Sequence, residues 1–203
     1  MLCSKSETPV DKFWSWFLTN RKDIESKFQS DPPKAVDAIT AAFRQATPDL
    51  MFEVSPKTDP REFTVSADGI IERFPSVLAF VNAAPKIPGW KVVAFRQADP
   101  RSFGVNHKGI SLDRASVFVE PLRDKEGFLN LILYVPNLSA MDRKAMEATS
   151  FILLDSCIGE YDAVKRIRYV DYRDISEKTK DSFPIGDLVT FISTHKQEIP
   201  EYR

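Results

Sequence analysis

Little in this chain is specialised. Cysteine and histidine are scarce, at two residues each in 203. Cys3 and Cys157 form neither a C-x-x-C pair nor a metal-ligand spacing, so no disulfide framework is implied and the expected setting is reducing. His107 and His195 have no Cys, Asp or Glu neighbour at ligand spacing, which argues against a zinc site. There are seven glycines, and none builds a G-x-G-x-x-G or P-loop run of the kind that lets backbone approach a phosphate. No serine sits in a G-x-S-x-G elbow. The net charge of -1, from 28 basic and 29 acidic residues, gives no broad attraction to nucleic acid or an anionic membrane. No apolar run approaches a membrane span, and MLCSKSETPVDK lacks an apolar region ahead of its charges. These absences lead us to expect a cytoplasmic chain with no cofactor and no membrane contact, nucleic acid disfavoured, and the balance tilted away from an enzyme.

What the chain does have is apolar mass. Fifteen Phe and three Trp, in a composition 43% hydrophobic and 28% charged, suffice for a substantial core. From Val10 to Ser30, Phe13, Phe17, Ile24 and Phe28 recur at helical spacing, with Asp11 suited to the first turn. Asp31-Pro32-Pro33 stops that helix, and a second runs from Pro33 to Ala46 with Val36, Ile39, Ala42 and Phe43 as its stripe. Residues 61–96, REFTVSADGIIERFPSVLAFVNAAPKIPGWKVVAFR, read as strand, Asp-Gly turn, helix, Pro-Gly turn and strand, a βαβ crossover. Leu50–Val54 precedes it as a hairpin partner across a polar turn from Pro56 to Pro60. A meander follows through Ser116–Leu122 and Phe128–Val135, then a helix from Ser139 to Ile158 closed by Gly159, an edge strand Val164–Tyr172 and a short helix at Ile185–Thr194. The expected fold is α+β: a twisted mixed sheet of five to seven strands containing one βαβ crossover, helices mainly on one face. We expect one domain, with a helical layer at 10–47, a sheet-forming core at 48–172 and a linker with a short helix at 173–203. No internal repeat is visible.

Chemistry could sit in few places. Ser66-Ala67-Asp68-Gly69 closes a strand and opens a helix, where backbone N–H groups suit an anion. Ser66, Asp68 and, from the next strand end, Arg96 are therefore the candidate ligand-binding residues, although Asp68 would repel phosphate and a plain Asp-Gly turn explains the run better. Asp155, Glu160 and Asp162 around Gly159 are a weak candidate for a hard cation, but they lack EF-hand spacing, and a solvated acidic turn accounts for them as well. Cys157, in an apolar run, reads as an inert buried thiol. In Phe13-Trp14-Ser15-Trp16-Phe17 one helical stripe cannot bury every ring, since neighbours are about 100° apart. Trp14 and Trp16 are thus candidate contact residues for a partner. The alternative is a helix wedged between a sheet and another helix and buried on more than one side.

FWSWF, EFTVSADGI, AAPKIPGWKVVAFR and FILLDSCIGEYD occur in that order, over residues 13–162. In this the chain resembles a family of uncharacterised bacterial proteins with an aromatic first helix, an S-A-D-G strand end, an A-P-x-x-x-G-W strand opening and an L-D-x-x-x-G-E segment. The resemblance implies a bacterial, cytoplasmic α/β unit and transfers no catalytic residue. The expected function is a non-catalytic binding or protein-interaction module, with an immunity-like role as one form. The alternatives are a small-molecule site or enzyme on the rim near Ser66 and Asp68, and RNA binding on a sheet face carrying Lys165, Arg166, Arg168, Tyr169 and Arg173.

Overall fold

A computed structural model describes residues 6–55 and 58–201; Cys3 and the first two residues of the Pro56–Pro60 turn lie outside them. The fold is α+β, with six α-helices and nine strands among the described residues. Contacts divide the chain into two compact units, Met1–Phe95 and Arg96–Arg203. The strands are shared among three sheets, where the sequence suggested a single one.

In the first unit, α1 (Pro9–Ser30) starts at Thr8, whose hydroxyl accepts from the Asp11 N–H while the Asp11 carboxylate accepts from the Thr8 N–H. This capping box satisfies two end donors at once, and it puts Asp11 at the third helical position instead of the cap. Asp31 ends α1 and caps α2 (Pro32–Ala46), with proline in the first turn where its missing N–H costs nothing. The buried stripe of α2 is Ala35, Ile39 and Phe43, and Val36 is exposed. β1 (Met51–Val54) pairs antiparallel with β2 (Arg61–Ser66), and β2 pairs parallel with β3 (Trp90–Ala94) after α3 (Phe74–Asn82). The register places Phe52, Phe63 and Val92 on one face. Onto that face pack Phe13 and Phe17 of α1, Phe43 of α2 and, through Phe13 and Phe43, Phe80 of α3. The opposite face carries Glu53, Glu62 and Lys91, with Lys91 paired to Glu62 at 2.9 Å. The helices of this unit are on one side of its sheet.

The second unit opens with a hairpin, β4 (Gly104–His107) and β5 (Ile110–Asp113), that packs on α4 (Arg143–Ile158). Its turn is Lys108-Gly109, both at positive φ, so His107 belongs to the strand. The main sheet is ordered β8-β7-β6-β9, from β6 (Phe118–Arg123), β7 (Leu129–Val135), β8 (Ile167–Asp174) and the two-residue β9 (Phe183–Pro184). β7 and β8 are parallel, joined through α4 and α5 (Glu160–Arg166), which is a second crossover that the sequence reading did not contain. Residues 164–166, expected as strand, complete α5. Leu129, Leu131, Leu133 and Val135 point into a core shared with Met146, Leu153 and Cys157 of α4 and with Leu188 and Ile192 of α6 (Leu188–Thr194). The tail beyond α6 packs on this unit, with Ile199 2% exposed.

One path recurs in the two units. A hairpin is followed, two residues past its second strand, by a left-handed residue (Asp68 at φ 54, Asn137 at φ 55), then a short 3-10 turn, a helix and a parallel strand on the hairpin's open side. The sequence shows no trace of this repetition.

Candidate functional site

A groove lies between α1 and α2. Its volume is about 580 Å³, and it is lined by Pro9, Lys12, Phe13 and Trp16 of α1 and by Ala38, Ala41, Ala42, Gln45 and Ala46 of α2. Its geometry follows from the sequence of α2. Phe43, at 2% exposure, fills the helix interface beneath, while alanines at spacings of three and four face outward beside it. Small side chains leave the α2 wall low, and the indole of Trp16 is a half-buried wall of α1. Lys12 is the one formally charged residue on the lining, and it makes no ion pair among the described residues. The volume is within the range of binding clefts. Besides Lys12, the lining carries only apolar side chains and the Gln45 amide.

Trp14 does not share this surface. It is 2% exposed, and its indole N–H donates to the Phe80 carbonyl at 3.1 Å. Its ring meets Phe63 at 5.7 Å and Phe80 at 5.2 Å. α1 is wedged against both α2 and the sheet with α3, so rings on two sides of it are covered, and of the rings between Phe13 and Phe17 only Trp16 keeps an outward edge. Trp14 is a core residue, which corrects its assignment to a contact surface. The groove-lining alanines were missed by sequence reasoning. The signal was present in AVDAITAAFRQA, where alanine recurs on one side of a helix.

Ser66 and Asp68 come together in a closed turn. Ser66 is fully buried, and its hydroxyl accepts from the Asp68 N–H at 2.9 Å. Asp68 and Gly69 both have positive φ, with the Ile70 N–H donating to the Ala67 carbonyl at 3.2 Å, the pattern of a type I′ turn. The hydroxyl thus caps a turn within its own strand end, and the helix that follows has no side-chain cap there. Arg96 belongs to the second unit. Its guanidinium lies 3.6 Å from Asp155, and its backbone N–H donates to the Glu160 carboxylate at 3.1 Å. Asp162 is held by Arg166 at 2.7 Å. The three carboxylates of the weak cation candidate are therefore dispersed onto separate internal donors, and among the described residues no group of three or more His, Cys, Asp or Glu is placed to hold a metal ion. Comparison with family models, curated proteins and solved structures gives no match. The site must be read from its own geometry.

The cationic strand expected to face RNA is neutralised from within. Arg166 is 3% exposed and bound to Asp162, Glu201 and the Ile199 carbonyl. Arg168 is the extra residue of a bulge, since Leu129 pairs with Ile167 and Asn130 with Tyr169. It forks onto Asp124 at 2.8 Å and Glu126 at 2.7 Å, above the Phe128 ring. Arg173 lies 3.6 Å from Asp171. Tyr169 is 62% exposed, and Arg166, Arg168 and Arg173 each have a carboxylate partner. The outer edge of β8 is blunted too: the Tyr172 N–H donates to the Asp171 carboxylate and the Asp174 N–H to Glu177.

Two further groups fit structural roles. Burial pushes the Cys157 thiol up from its ordinary pKa, the direction of an unreactive sulfhydryl. His195 stacks on Phe191 at 4.5 Å and contacts that residue's carbonyl at the end of α6. No helix among the described residues is long and apolar enough to cross a membrane.

Proposed function

We propose that the chain is a non-catalytic protein-interaction module whose α1/α2 groove takes the apolar face of an amphipathic helix from a protein partner. The observation that carries this reading is the lining itself: apolar walls, one half-buried tryptophan and a single unpaired cation. Low alanine walls allow a helix backbone to approach closely, and Trp16 supplies a rigid aromatic contact of the type that dominates binding energy. Lys12 at the rim selects a partner with an acidic residue beside its apolar stripe.

The test is selection of random 16-residue peptides on the native chain, with tryptophan emission as the readout. Selected peptides should carry apolar residues at helical spacing with an acid at one edge, and should shift the emission of Trp16. Ala41→Arg, at an exposed position, fills the groove without touching the core and should abolish binding; Trp16→Ala should weaken it at least tenfold, as expected for loss of about 1.4 kcal/mol or more at a central aromatic. Peptides that bind Ala41→Arg as tightly as the native chain would refute the groove as the site.

A further inference from the structure

α4 is apolar on both of its sides. Met146, Leu153, Leu154 and Cys157 face the core of the second unit, yet Phe151 is 54% and Ile152 40% exposed on the other side. The outer stripe reads Lys144 and Phe151, both exposed, with half-buried Ala148 and Asp155, at spacings of four, three and four, and exposed Ile152 beside it. That order is its own complement when reversed. If two copies of the helix cross antiparallel about a point midway between Thr149 and Ser150, Lys144 of each meets Asp155 of the other and Ala148 of each receives Phe151 of the other. Lys144 and Asp155 are each 5.5 residues from that point, and Ala148 and Phe151 each 1.5, so both pairs satisfy one register. Such a contact is isologous and closes at two copies.

We propose that the exposed face of α4 is a self-association surface, its occupant the same face of a second copy. The inference is independent of the groove, which lies on other helices in the other unit. Charge complementarity argues for a second copy over an unrelated partner: a cation at one end of the stripe and an anion at the other, with a small residue placed opposite the large ring. Asp155 also neighbours Arg96 at 3.6 Å and keeps 20% of its side chain exposed, enough to be reached from outside. The patch is small beside the roughly 1,200 Å² of a stable complex, so the association is a weak, concentration-dependent one.

Sedimentation velocity of the full chain from about 1 to 500 µM tests it, a range that spans the affinities of small interfaces. The weight-average mass should rise from 23.1 kDa toward twice that value. Phe151→Glu, at an exposed site, should hold the mass at 23.1 kDa with native circular dichroism. Lys144→Glu should weaken association roughly twofold to thirtyfold at low salt, the effect of losing two exposed ion pairs, and by less at high salt. Ala41→Arg in the groove should change nothing. A mass constant at 23.1 kDa through the range, or association undiminished by Phe151→Glu, would overturn the proposal. Indifference to Lys144→Glu at low salt would overturn the antiparallel register.

Discussion

Arg166 offers the sharpest test of how the second unit holds its own tail. Its guanidinium is 3% exposed and makes four polar contacts: Asp162 and Glu201 at 2.7 Å, the Ile199 carbonyl at 2.7 Å and the Lys196 carbonyl at 3.4 Å. Glu201 also accepts from the Tyr161 hydroxyl at 2.8 Å, so one arginine fastens residues 196–201 onto α5. Arg166→Met keeps most of the aliphatic stem and removes the fork. The Glu201 pair is 42% exposed on its acidic side and contributes about 0–1 kcal/mol after solvent screening. Asp162, 21% exposed, loses its strong partner and retains Lys196 only at 4.0 Å. The Ile199 carbonyl, in a residue 2% exposed, loses a charged donor, which costs about 1–3 kcal/mol when a buried acceptor is left bare. The sum is about 1–4 kcal/mol, somewhat under the cost of breaking a fully buried pair.

Urea unfolding reads the total, and amide exchange of residues 195–201 reads the location. The midpoint should fall with an unchanged slope, and the tail amides should exchange faster while β7 amides follow the global change alone. Arg166→Lys should recover part of the loss, since an ammonium keeps the charge but cannot span two carboxylates and a carbonyl. A loss below about 1 kcal/mol with tail exchange unaltered would show that the contacts are incidental and that Ile199 alone anchors the tail.

Three other outcomes follow from the same kind of accounting. Phe13→Ala, at a residue 2% exposed whose ring meets those of Phe43, Phe63 and Phe80, should cost about 3–5 kcal/mol in urea unfolding, whereas Trp16→Ala should cost under half as much. Gly159→Ala should destabilise by about 1–3 kcal/mol, because φ 83 with ψ 150 is a glycine conformation and a Cβ there would lie 3.3 Å from the Arg96 carbonyl oxygen and the Ala98 nitrogen. Glu120 accepts from Tyr134 at 2.6 Å and Thr179 at 2.7 Å, and these bonds hold its carboxyl below the ordinary 4.5. Its contribution is therefore complete above pH 4.5 and is lost as pH falls through the lower folded value, so the stability gap between native and Glu120→Gln chains should be constant at neutral pH and shrink in acid.

Much of the first unit was legible because its signals are local. Proline in the first turn of α2, the Asp-Gly turn after β2 and the alternation of Phe63 and Val65 each fix one element without help from elsewhere. Trp14 was legible only through the alternative of a helix buried on more than one side. Its neighbours Phe13 and Phe17 define a stripe, and only tertiary contact with Phe63 and Phe80 explains why the next ring round the helix is also covered. The groove was half legible, since Trp16 stood out as an aromatic outside the stripe, while the alanines opposite looked like ordinary helix formers. At Ser66 and Asp68 the sequence does not show that a hydroxyl able to meet a ligand meets a backbone N–H two residues away.

The second unit hid more, and β8 shows why. Read as strict alternation, Arg166 and Arg168 line one face and suggest an electrostatic surface. The bulge at Arg168 inserts one residue into β8, so Ile167 and Val170 both turn toward the core, though an odd number apart. Arg168, displaced from the ladder, reaches back to the Asp124–Gly127 turn and is neutralised there. The same irregularity conceals the repeated path. Paired residues of β2 and β3 are 29 positions apart, as in Phe63 and Val92, while those of β7 and β8 are 39 apart, as in Leu131 and Val170, because α5 is interposed. A fixed sequence period cannot survive that difference, whereas the path does, since it depends only on a hairpin, a left-handed turn and a helix long enough to return the chain alongside its own strand.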